Sequence, residues 1–303
     1  MTFRVEHRTE YTYPAPVSTS YGRVHLLPRD APGQACRSTS IEVSPSPDDG
    51  PTSHVDYFGN RSAYFALHRP HTSLVVTSSS VVDVSGRPAY SDGVMDRAAS
   101  PWESAVDRCR SASDAETLDA RQFLLDSPLV AVSAELAAYA QPSFVSGRAV
   151  GSAAVDLIGR IYHDFAYRPG ATTVSTPLTE VLSRRAGVCQ DFAHVAIGCL
   201  RAVGLPARYV SGYLDTDPPP GQLRLQGADA SHAWVSVFVP GAGWLDLDPT
   251  NDLVVRDRHV VTAWGRDYAD VPPLKGVIFT DATEHTLTVS VDVVPVEAAR
   301  SSA

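Results

Sequence analysis

The chain has 303 residues, of which 44% are hydrophobic and 19% are charged, and its formal net charge is −9. This length and composition are typical of a globular protein with two domains or one elaborate domain, and they exclude a disordered or fibrous chain. The negative charge and the lack of a basic cluster argue against nucleic-acid binding, so we expect no nucleic-acid partner.

The four cysteines, Cys36, Cys109, Cys189 and Cys199, are widely separated. Their spacing fits neither a disulfide framework nor a CxxC metal pattern. The N-terminal segment lacks the apolar run of a signal peptide, and no stretch is as long and apolar as a membrane span. We therefore expect a cytoplasmic protein with reduced thiols, no membrane partner, no cofactor and no metal.

The first part of the chain carries the patterns of β-strands. Residues alternate in FRVEHRTEYTY, and SLVVTSSSVVDVSG is rich in β-branched residues. Proline-rich and glycine-containing turns separate these runs. The pattern predicts a small β-rich N-terminal domain over residues 1–84, followed by a linker over residues 85–101.

From Trp102 onward the pattern becomes helical. Apolar residues recur every three to four positions in DAETLDARQFLLD, VSAELAAYA and SAAVDLIGRIYHDFAY. A short helix in PLTEVLSRRAG is predicted to end at Gly187, and the next helix, VCQDFAHVAIGCLRAVG, at Gly204. Strands follow in ARYVSGYL, HAWVSVFV, GWLDLD and HTLTVSVDVVPV. Helices followed by antiparallel strands predict an α+β core over residues 102–303 that includes the C-terminal strands.

Two cysteines of one predicted helix have different surroundings. Cys189 lies near the first turn, where free backbone N–H groups and the helix dipole stabilise a thiolate. Cys199 lies in the middle of the helix, in register with Phe192 on the apolar face, and is predicted to pack in the core. A reactive thiol needs a base, and His194 is rotated away from Cys189 by the helix.

The segment SHAWVSVFVPGAGWLDLDPT predicts a β-hairpin. On both strands the odd-numbered residues are apolar, so the other face carries the even-numbered set His232, Trp234, Ser236, Phe238, Trp244, Asp246 and Asp248. This arrangement requires a loop of odd length, with Val239 opposite Gly243. Asp248 then lies diagonal to His232, within reach of a carboxylate–imidazole bond, whereas Asp246 lies further along the face.

These residues supply the three roles of nucleophilic catalysis by a thiol. Cys189 is the predicted nucleophile, and His232 is the base that takes its proton and later protonates the leaving amine. Asp248 orients the imidazole and stabilises its charged form. The sequence therefore predicts a catalytic site formed by Cys189, His232 and Asp248.

Four ordered blocks carry a family resemblance: GVCQDFAH, LRAVGLPARYVSGYL, SHAWVSVFVPGAGWLDLDPTN and GRDYADVPPLKG. They resemble the bacterial transglutaminase-like proteins, a group often described as cysteine proteases. FRVEHRTEYTYPAPV, LLPRD and DYFGN resemble the β-rich N-terminal domain of the same group. The resemblance covers nearly the whole chain and implies a papain-like, transglutaminase-like α+β core after a small all-β domain. It matches Cys189, His232 and Asp248 to the family's triad, and family context suggests partners in peptide modification.

Several residues near the predicted site have two interpretations. The backbone N–H of Cys189 is one candidate oxyanion donor, and Tyr167 is either the second donor or a packed aromatic residue. Asp267 and Asp270 line the cleft or form a turn, and we favour the turn. Trp234 either shields the site from water or is a core residue of the hairpin.

The predicted function is cysteine-dependent acyl transfer or hydrolysis on peptide or isopeptide amide bonds through a thioester, with hydrolysis preferred. An amine acceptor would instead make the protein a protein-glutamine transglutaminase. A non-catalytic peptide-binding module is a further alternative. A metal hydrolase with Cys189, His232 and Asp248 as ligands is disfavoured, because close ligand pairs such as HExxH are absent. The N-terminal domain could gate the cleft, present the substrate or bind a partner.

Overall fold

The N-terminal part of the chain forms most of a seven-stranded sheet. The computed structural model of the protein describes residues 1–85, 94–216 and 231–296. The first five strands are β1 (Thr2–Val24), β2 (Gln34–Ser44), β3 (Asp49–Val55), β4 (Arg61–Leu67) and β5 (His71–Val84). Their order in the sheet is β2-β5-β1-β4-β3. The predicted β-rich N-terminal region is therefore confirmed.

Helices fill the middle of the chain. They are α1 (Val94–Arg97), α2 (Trp102–Arg110), α3 (Ala115–Ala120), α4 (Ala134–Ala140), α5 (Val150–Asp164), α6 (Leu178–Arg184) and α7 (Cys189–Ala202), with a 3₁₀ helix at Arg121–Leu124. Between them, β6 (Ala166–Tyr167) and β7 (Ala186–Gly187) form a short parallel pair. Residues 191–201 of α7 are all buried, so α7 is the central helix of the core.

The predicted end of α6 at Gly187 is wrong. The helix ends at Arg184, and Arg185 caps it in the left-handed conformation, with a φ of 52°. The backbone N–H of Arg185 donates to the carbonyl of Val181, which satisfies one of the last helical acceptors. Gly187 instead belongs to β7, and Val188 separates it from α7.

A second, antiparallel sheet packs one face on α7. Its strands are β8 (Ala207–Leu214), β9 (Ser231–Val239), β10 (Gly243–Asp248), β11 (Leu253–Val254) and β12 (His259–Gly265), in the order β11-β10-β9-β8-β12. Val239 pairs with Gly243, as the odd-length loop predicted. The odd-numbered residues of β9 and β10 join the main core with α7, and the even-numbered ones face the other way. The predicted α+β class is confirmed.

The two C-terminal strands join the first sheet. β13 (Leu274–Thr280) and β14 (Thr286–Pro295) both pair antiparallel with β1. The sequence grouped them with the core at 102–303, and the pairing corrects that grouping. The reason is the length of β1, which offers hydrogen-bonding edges along 23 residues. Val291 and Val293 of β14 pack there against Phe3 and Val5.

The predicted linker is only partly within the described residues. Positions 86–93 lie outside them, whereas Val94–Arg97 forms α1 and Ala98 packs in the main core. The boundaries at 84 and 101 stay a prediction. Among the helices of the described ranges, none has the length and hydropathy needed to cross a bilayer.

Candidate active site

The start of α7 is fixed by a buried carboxylate. Asp191 Oδ2 accepts hydrogen bonds from the backbone N–H of Val188 at 2.8 Å and from Thr172 Oγ1 at 2.7 Å. A Cβ on Gly187 would lie 2.5 Å from Asp191 Oδ2, closer than real Cβ atoms approach, so glycine is required there. These contacts hold Cys189, the first residue of α7, at the helix N-terminus, where the backbone N–H groups favour an anion.

His232 is held on β9 above a fully buried tryptophan. It pairs with Gly212 of β8, and a Cβ on Gly212 would lie 2.7 Å from the ring of Trp234. Glycine therefore leaves the space that Trp234 occupies. The ring centroids of His232 and Trp234 are 6.1 Å apart, which limits the movement of the imidazole. Trp234 is completely buried. Its two predicted roles, as a shield against water and as a core residue of the hairpin, both require this burial.

The carboxylate of Asp248 is completely buried and accepts hydrogen bonds on both oxygens. Oδ2 accepts from His232 Nε2 at 2.7 Å, from Asn251 Nδ2 at 2.7 Å and from His259 Nε2 at 3.1 Å. Oδ1 accepts from the backbone N–H groups of Thr250 and Asn251. A buried charge is tolerated when it is paired in this way, and the contacts fix its orientation toward the imidazole.

The pair formed by His232 and Asp248 favours its charged state. Burial alone would lower the pKa of His232, but the hydrogen bonds and charges of Asp248 and Cys189 outweigh it and raise the pKa to about 10. Burial would raise the pKa of Asp248, and the bonds and charges of the two histidines instead hold it well below its usual value. The ring is therefore held as an imidazolium beside a carboxylate.

Cys189 completes the group on the other side of the ring. It acts on the pKa of His232 both as a hydrogen-bond partner and as a nearby charge. His232 Nε2 is bonded to Asp248, which leaves Nδ1 as the nitrogen available to the sulfur. Cys189 is half-buried. A half-buried thiol, an imidazole and a buried acid in this order can move a proton from sulfur to ring.

Two tyrosines lie around the thiol. Tyr167 is 54% exposed, its ring packs on the edge of Phe192, and its pKa is raised by partial burial and by Cys189. Tyr209 is buried, and burial with the charge of Cys189 raises its pKa well above the ordinary value. Of the two tyrosines, Tyr167 is therefore the one with a solvent-exposed side chain.

His259 is a member of the group that the sequence analysis missed. It begins β12, and β12 was not predicted, so the residue had no neighbour to suggest a role. The alternation of HVVTA was the available signal for a strand. His259 Nε2 donates to Asp248, and its ring packs edge-on against Trp234 at 5.1 Å. Asp248 therefore accepts hydrogen bonds from histidines on two different strands, β9 and β12.

The other candidates from the sequence have structural roles. Cys199 is fully buried, and burial raises its pKa to about 12. His194 is buried and accepts a hydrogen bond from the backbone N–H of Tyr268 at 3.2 Å. Asp267 is buried and caps a 3₁₀ helix at Tyr268–Asp270, while Asp270 bonds Arg266 at 2.8 and 2.9 Å, which confirms the predicted turn.

The distances among His232, Asp248 and His259 also suit a metal ion, because one donor atom from each lies within 4.8 Å of the others. Both Nε2 atoms, however, already donate to the same carboxylate oxygen. A metal would have to replace these two hydrogen bonds. The predicted set for a metal hydrolase included Cys189, which is not part of this group.

The fold and this site define a cysteine-centred α+β protein of the papain-like kind. Residues 3–83 match the bacterial transglutaminase-like N-terminal region, and residues 137–249 match the transglutaminase-like superfamily. The chain belongs to the transglutaminase-like superfamily. The resemblance seen in the sequence is therefore confirmed for both regions.

Three similar proteins differ in how much of the chain they match. The uncharacterized protein Rv2569c of Mycobacterium tuberculosis is 49% identical over 301 residues, which cover 97% of this chain and 93% of that protein. A "Protein-glutamine gamma-glutamyltransferase" of Pseudomonas aeruginosa is 35% identical over 103 residues, 31% of this chain and 15% of that protein. The crystal structure of a "Putative Cysteine Protease" from Cytophaga hutchinsonii superposes with a TM-score of 0.73 and 21% identity, covering 99% of this chain and 92% of that one. The last similarity shows the fold.

Proposed function

We propose that the protein is a cysteine-dependent enzyme that acts on peptide or isopeptide amide bonds through a thioester on Cys189. The observation that carries the proposal is the chain of contacts from Cys189 through His232 to Asp248, with 2.7 Å between the imidazole and the carboxylate. The same three residues match the triad implied by the family resemblance. The proteolytic or transferase activity named for similar proteins makes a peptide or protein the expected substrate class.

The proposed reaction begins from a pair formed by the Cys189 thiolate and the His232 imidazolium, in which the proton of the thiol already resides on the ring. The sulfur attacks the amide carbonyl, and the tetrahedral intermediate collapses as His232 protonates the leaving amine. The thioester is then attacked by water, whose proton passes to His232. The acid product leaves, and the Cys189 thiolate beside the His232 imidazolium is restored. Asp248 keeps Nε2 protonated throughout, so Nδ1 stays directed at the reaction centre.

The oxyanion of the intermediate would be stabilised at the N-terminus of α7. The backbone N–H of Cys189 lies in the first turn of α7, where N–H groups have no acceptor within the helix, and the helix dipole adds to its effect. The exposed hydroxyl of Tyr167 is our candidate for the second donor, because it lies beside Cys189. His259 and Asn251 are positioning residues, since they contact Asp248 and hold its carboxylate in place.

The acceptor of the acyl group decides between hydrolysis and transglutamination. Water needs no binding site of its own, so we prefer hydrolysis. The similarity to the Pseudomonas aeruginosa transferase covers only the middle of this chain, and it keeps the amine acceptor as the second candidate. The proposed enzyme needs no metal, and we continue to expect a cytoplasmic location.

The test is to trap the acyl-enzyme. The protein is incubated with a peptide library containing glutaminyl and peptide amide bonds, quenched with acid and analysed by mass spectrometry. We expect an acyl adduct on Cys189 that is absent from Cys189→Ala, and its decay products distinguish water from an added primary amine as the acceptor. Activity that persists after exhaustive chelation rules out the metal hydrolase. Tight peptide binding that is unchanged in Cys189→Ala, with no product or adduct, would establish the peptide-binding module instead.

A further inference from the structure

Three polar side chains form a row across the second sheet, away from the candidate active site. Arg208 of β8 pairs with Ser236 of β9, and Ser236 pairs with Asp246 of β10. Ser236 is four positions beyond His232 on the same face of β9, so the row lies roughly 13 Å from that histidine. The chemistry proposed for Cys189 does not use these residues.

Each member of the row has a buried polar atom without a hydrogen bond. Arg208 Nε, Ser236 Oγ and Asp246 Oδ1 find no partner within the part of the chain that the structure describes. Arg208 is only 8% exposed and Ser236 is fully buried. Buried polar groups are nearly always paired in folded proteins, so three unpaired atoms in neighbouring positions call for an explanation.

The guanidinium of Arg208 lies between two indole rings. Its central carbon is 3.9 Å from the centroid of Trp244 and 3.9 Å from that of Trp264. The two rings cover the faces of the guanidinium, which leaves its N–H groups around the edge of the plane. An edge of this kind donates two parallel hydrogen bonds to a carboxylate.

The charge of Arg208 is not neutralised by a close partner. Burial lowers its pKa to about 9, and Asp246 and Asp119 offset this effect only from a distance. No ion pair joins Arg208 to a carboxylate among residues 1–85, 94–216 and 231–296. A buried charge without a close partner is costly, and an anionic group at the edge of the guanidinium would supply the missing partner.

Arg208 and Asp246 line the same cavity, which has a volume of about 510 Å³. Trp244, Trp264 and Phe123 supply apolar walls, and the remaining charged residues of the lining are acidic: Glu116 and Asp119. The cavity therefore offers one site for an anionic group, several for a cationic group, and aromatic surface between them. This size and lining are typical of sites for small organic ligands.

The spacing of the row limits the length of the ligand. Arg208 and Asp246 are two strands apart, so their Cα atoms are separated by roughly 10 Å. A free amino acid carries both charges on one carbon and meets both side chains only where their charged ends converge. An extended dipeptide places its terminal groups roughly 7 Å apart, which suits side chains that reach toward the ligand from both ends.

We propose that this cavity binds a short peptide with free termini, whose carboxylate is held by the edge of Arg208 and whose ammonium group is held by Asp246. Ser236, between them in the sheet, is fully buried and does not line the cavity. The site is separate from Cys189, so its occupation does not depend on the proposed reaction.

The test is calorimetric titration of the full-length chain carrying Cys189→Ala with glycyl-phenylalanine, which cannot then be turned over. We expect binding to the free dipeptide and at least about tenfold weaker binding to its N-acetylated form and to its C-terminal amide. Equal affinity for all three forms, or no binding of the free dipeptide at about 10 mM, would overturn the proposal.

Substitutions of Arg208 distinguish an effect on ligand binding from an effect on protein stability. Arg208→Met should weaken binding at least about tenfold without lowering the temperature of unfolding, and Arg208→Lys should weaken it less because one charge is kept. The matched control is Arg110→Met, an exposed arginine on α2, which should change the affinity less than about twofold. Alkylation of Cys189 in the otherwise wild-type chain should proceed at the same rate with and without Arg208→Met. Unchanged dipeptide binding in Arg208→Met would contradict the assignment.

Discussion

The two aspartates on one face of β10, Asp246 and Asp248, differ in their surroundings. Asp248 is bonded to two histidines, an asparagine side chain and two backbone N–H groups. Asp246 leaves one buried oxygen without a partner in the described ranges. Residue type, strand and face are the same for both. A carboxylate surrounded by donors can take part in a proton-transfer group, whereas one without donors stays available to a ligand.

The largest effect is expected when the nucleophile is replaced, because the proposed thioester forms on the sulfur of Cys189. Cys189→Ser should lower turnover of a peptide amide by a factor on the order of 10⁴ or more, because an alcohol in this position is a far weaker nucleophile. Steady-state kinetics measure the effect. Cys199→Ser, in the same helix but fully buried, is the control and should keep turnover within a few-fold. Equal losses in the two variants would contradict the assignment of Cys189.

The two aspartates should differ most clearly when each is changed to asparagine. Asp248→Asn should lower kcat by about 10²–10⁴-fold, because an amide no longer holds His232 in the required tautomer and charge state. Asp246→Asn should leave kcat within about twofold, since its carboxylate does not touch the imidazole. Equal losses of kcat in the two variants would contradict the different roles assigned to Asp246 and Asp248.

The ion pair should also make stability depend on pH. The pKa of His232 is about 10 in the folded protein, whereas a histidine in an unfolded chain has its ordinary pKa of 6.5. Because the folded protein binds this proton more tightly than the unfolded chain, protonation of His232 stabilises the fold. The stabilisation is complete below pH 6.5 and is lost as the pH rises toward 10. The free energy of unfolding of the wild type minus that of Asp248→Asn should therefore fall by about 2–4 kcal/mol between pH 6 and pH 10. Denaturant unfolding across this range measures it, and a constant difference would contradict the pairing.

The smallest expected effect comes from the second histidine on Asp248. His259→Gln should lower kcat about tenfold and leave KM within about twofold, because the carboxylate loses one positioning contact but the substrate site is intact. His163→Gln is a matched control, since His163 lies exposed at the end of α5. A rise in KM with unchanged kcat would show that His259 acts on substrate binding and does not position Asp248.

The grouping of Cys189, His232 and Asp248 could be predicted because local rules determine most of it. The period of two along a strand sets which residues share a face, and the parity of the loop from Pro240 to Ala242 then puts His232 and Asp248 together. The first turn of a helix places Cys189 among free N–H groups. The contact between Cys189 and His232 joins α7 to β9 and follows from none of these local rules. It was inferred from the three chemical roles and from the family resemblance.

The features that were missed depend on contacts between remote segments. His259 reaches Asp248 because β12 pairs with β8, and alternation in a strand does not identify its partner. For the same reason β14 was recognised as a strand but placed with the core, although it pairs with β1. The row formed by Arg208, Ser236 and Asp246 likewise becomes visible only when three strands are aligned.

The charge on the His232 ring tests the proposed group most directly. ¹⁵N NMR of labelled protein from pH 5 to pH 11 measures this charge. We predict that both ring nitrogens are protonated at pH 8 and that the ring loses a proton near pH 10. Cys189→Ala and Asp248→Asn should each lower that value, and His232→Gln assigns the signal. A ring that titrates at or below pH 6.5 in the wild type, or that responds to neither substitution, would contradict the claim that sulfur, imidazole and carboxylate act as one group.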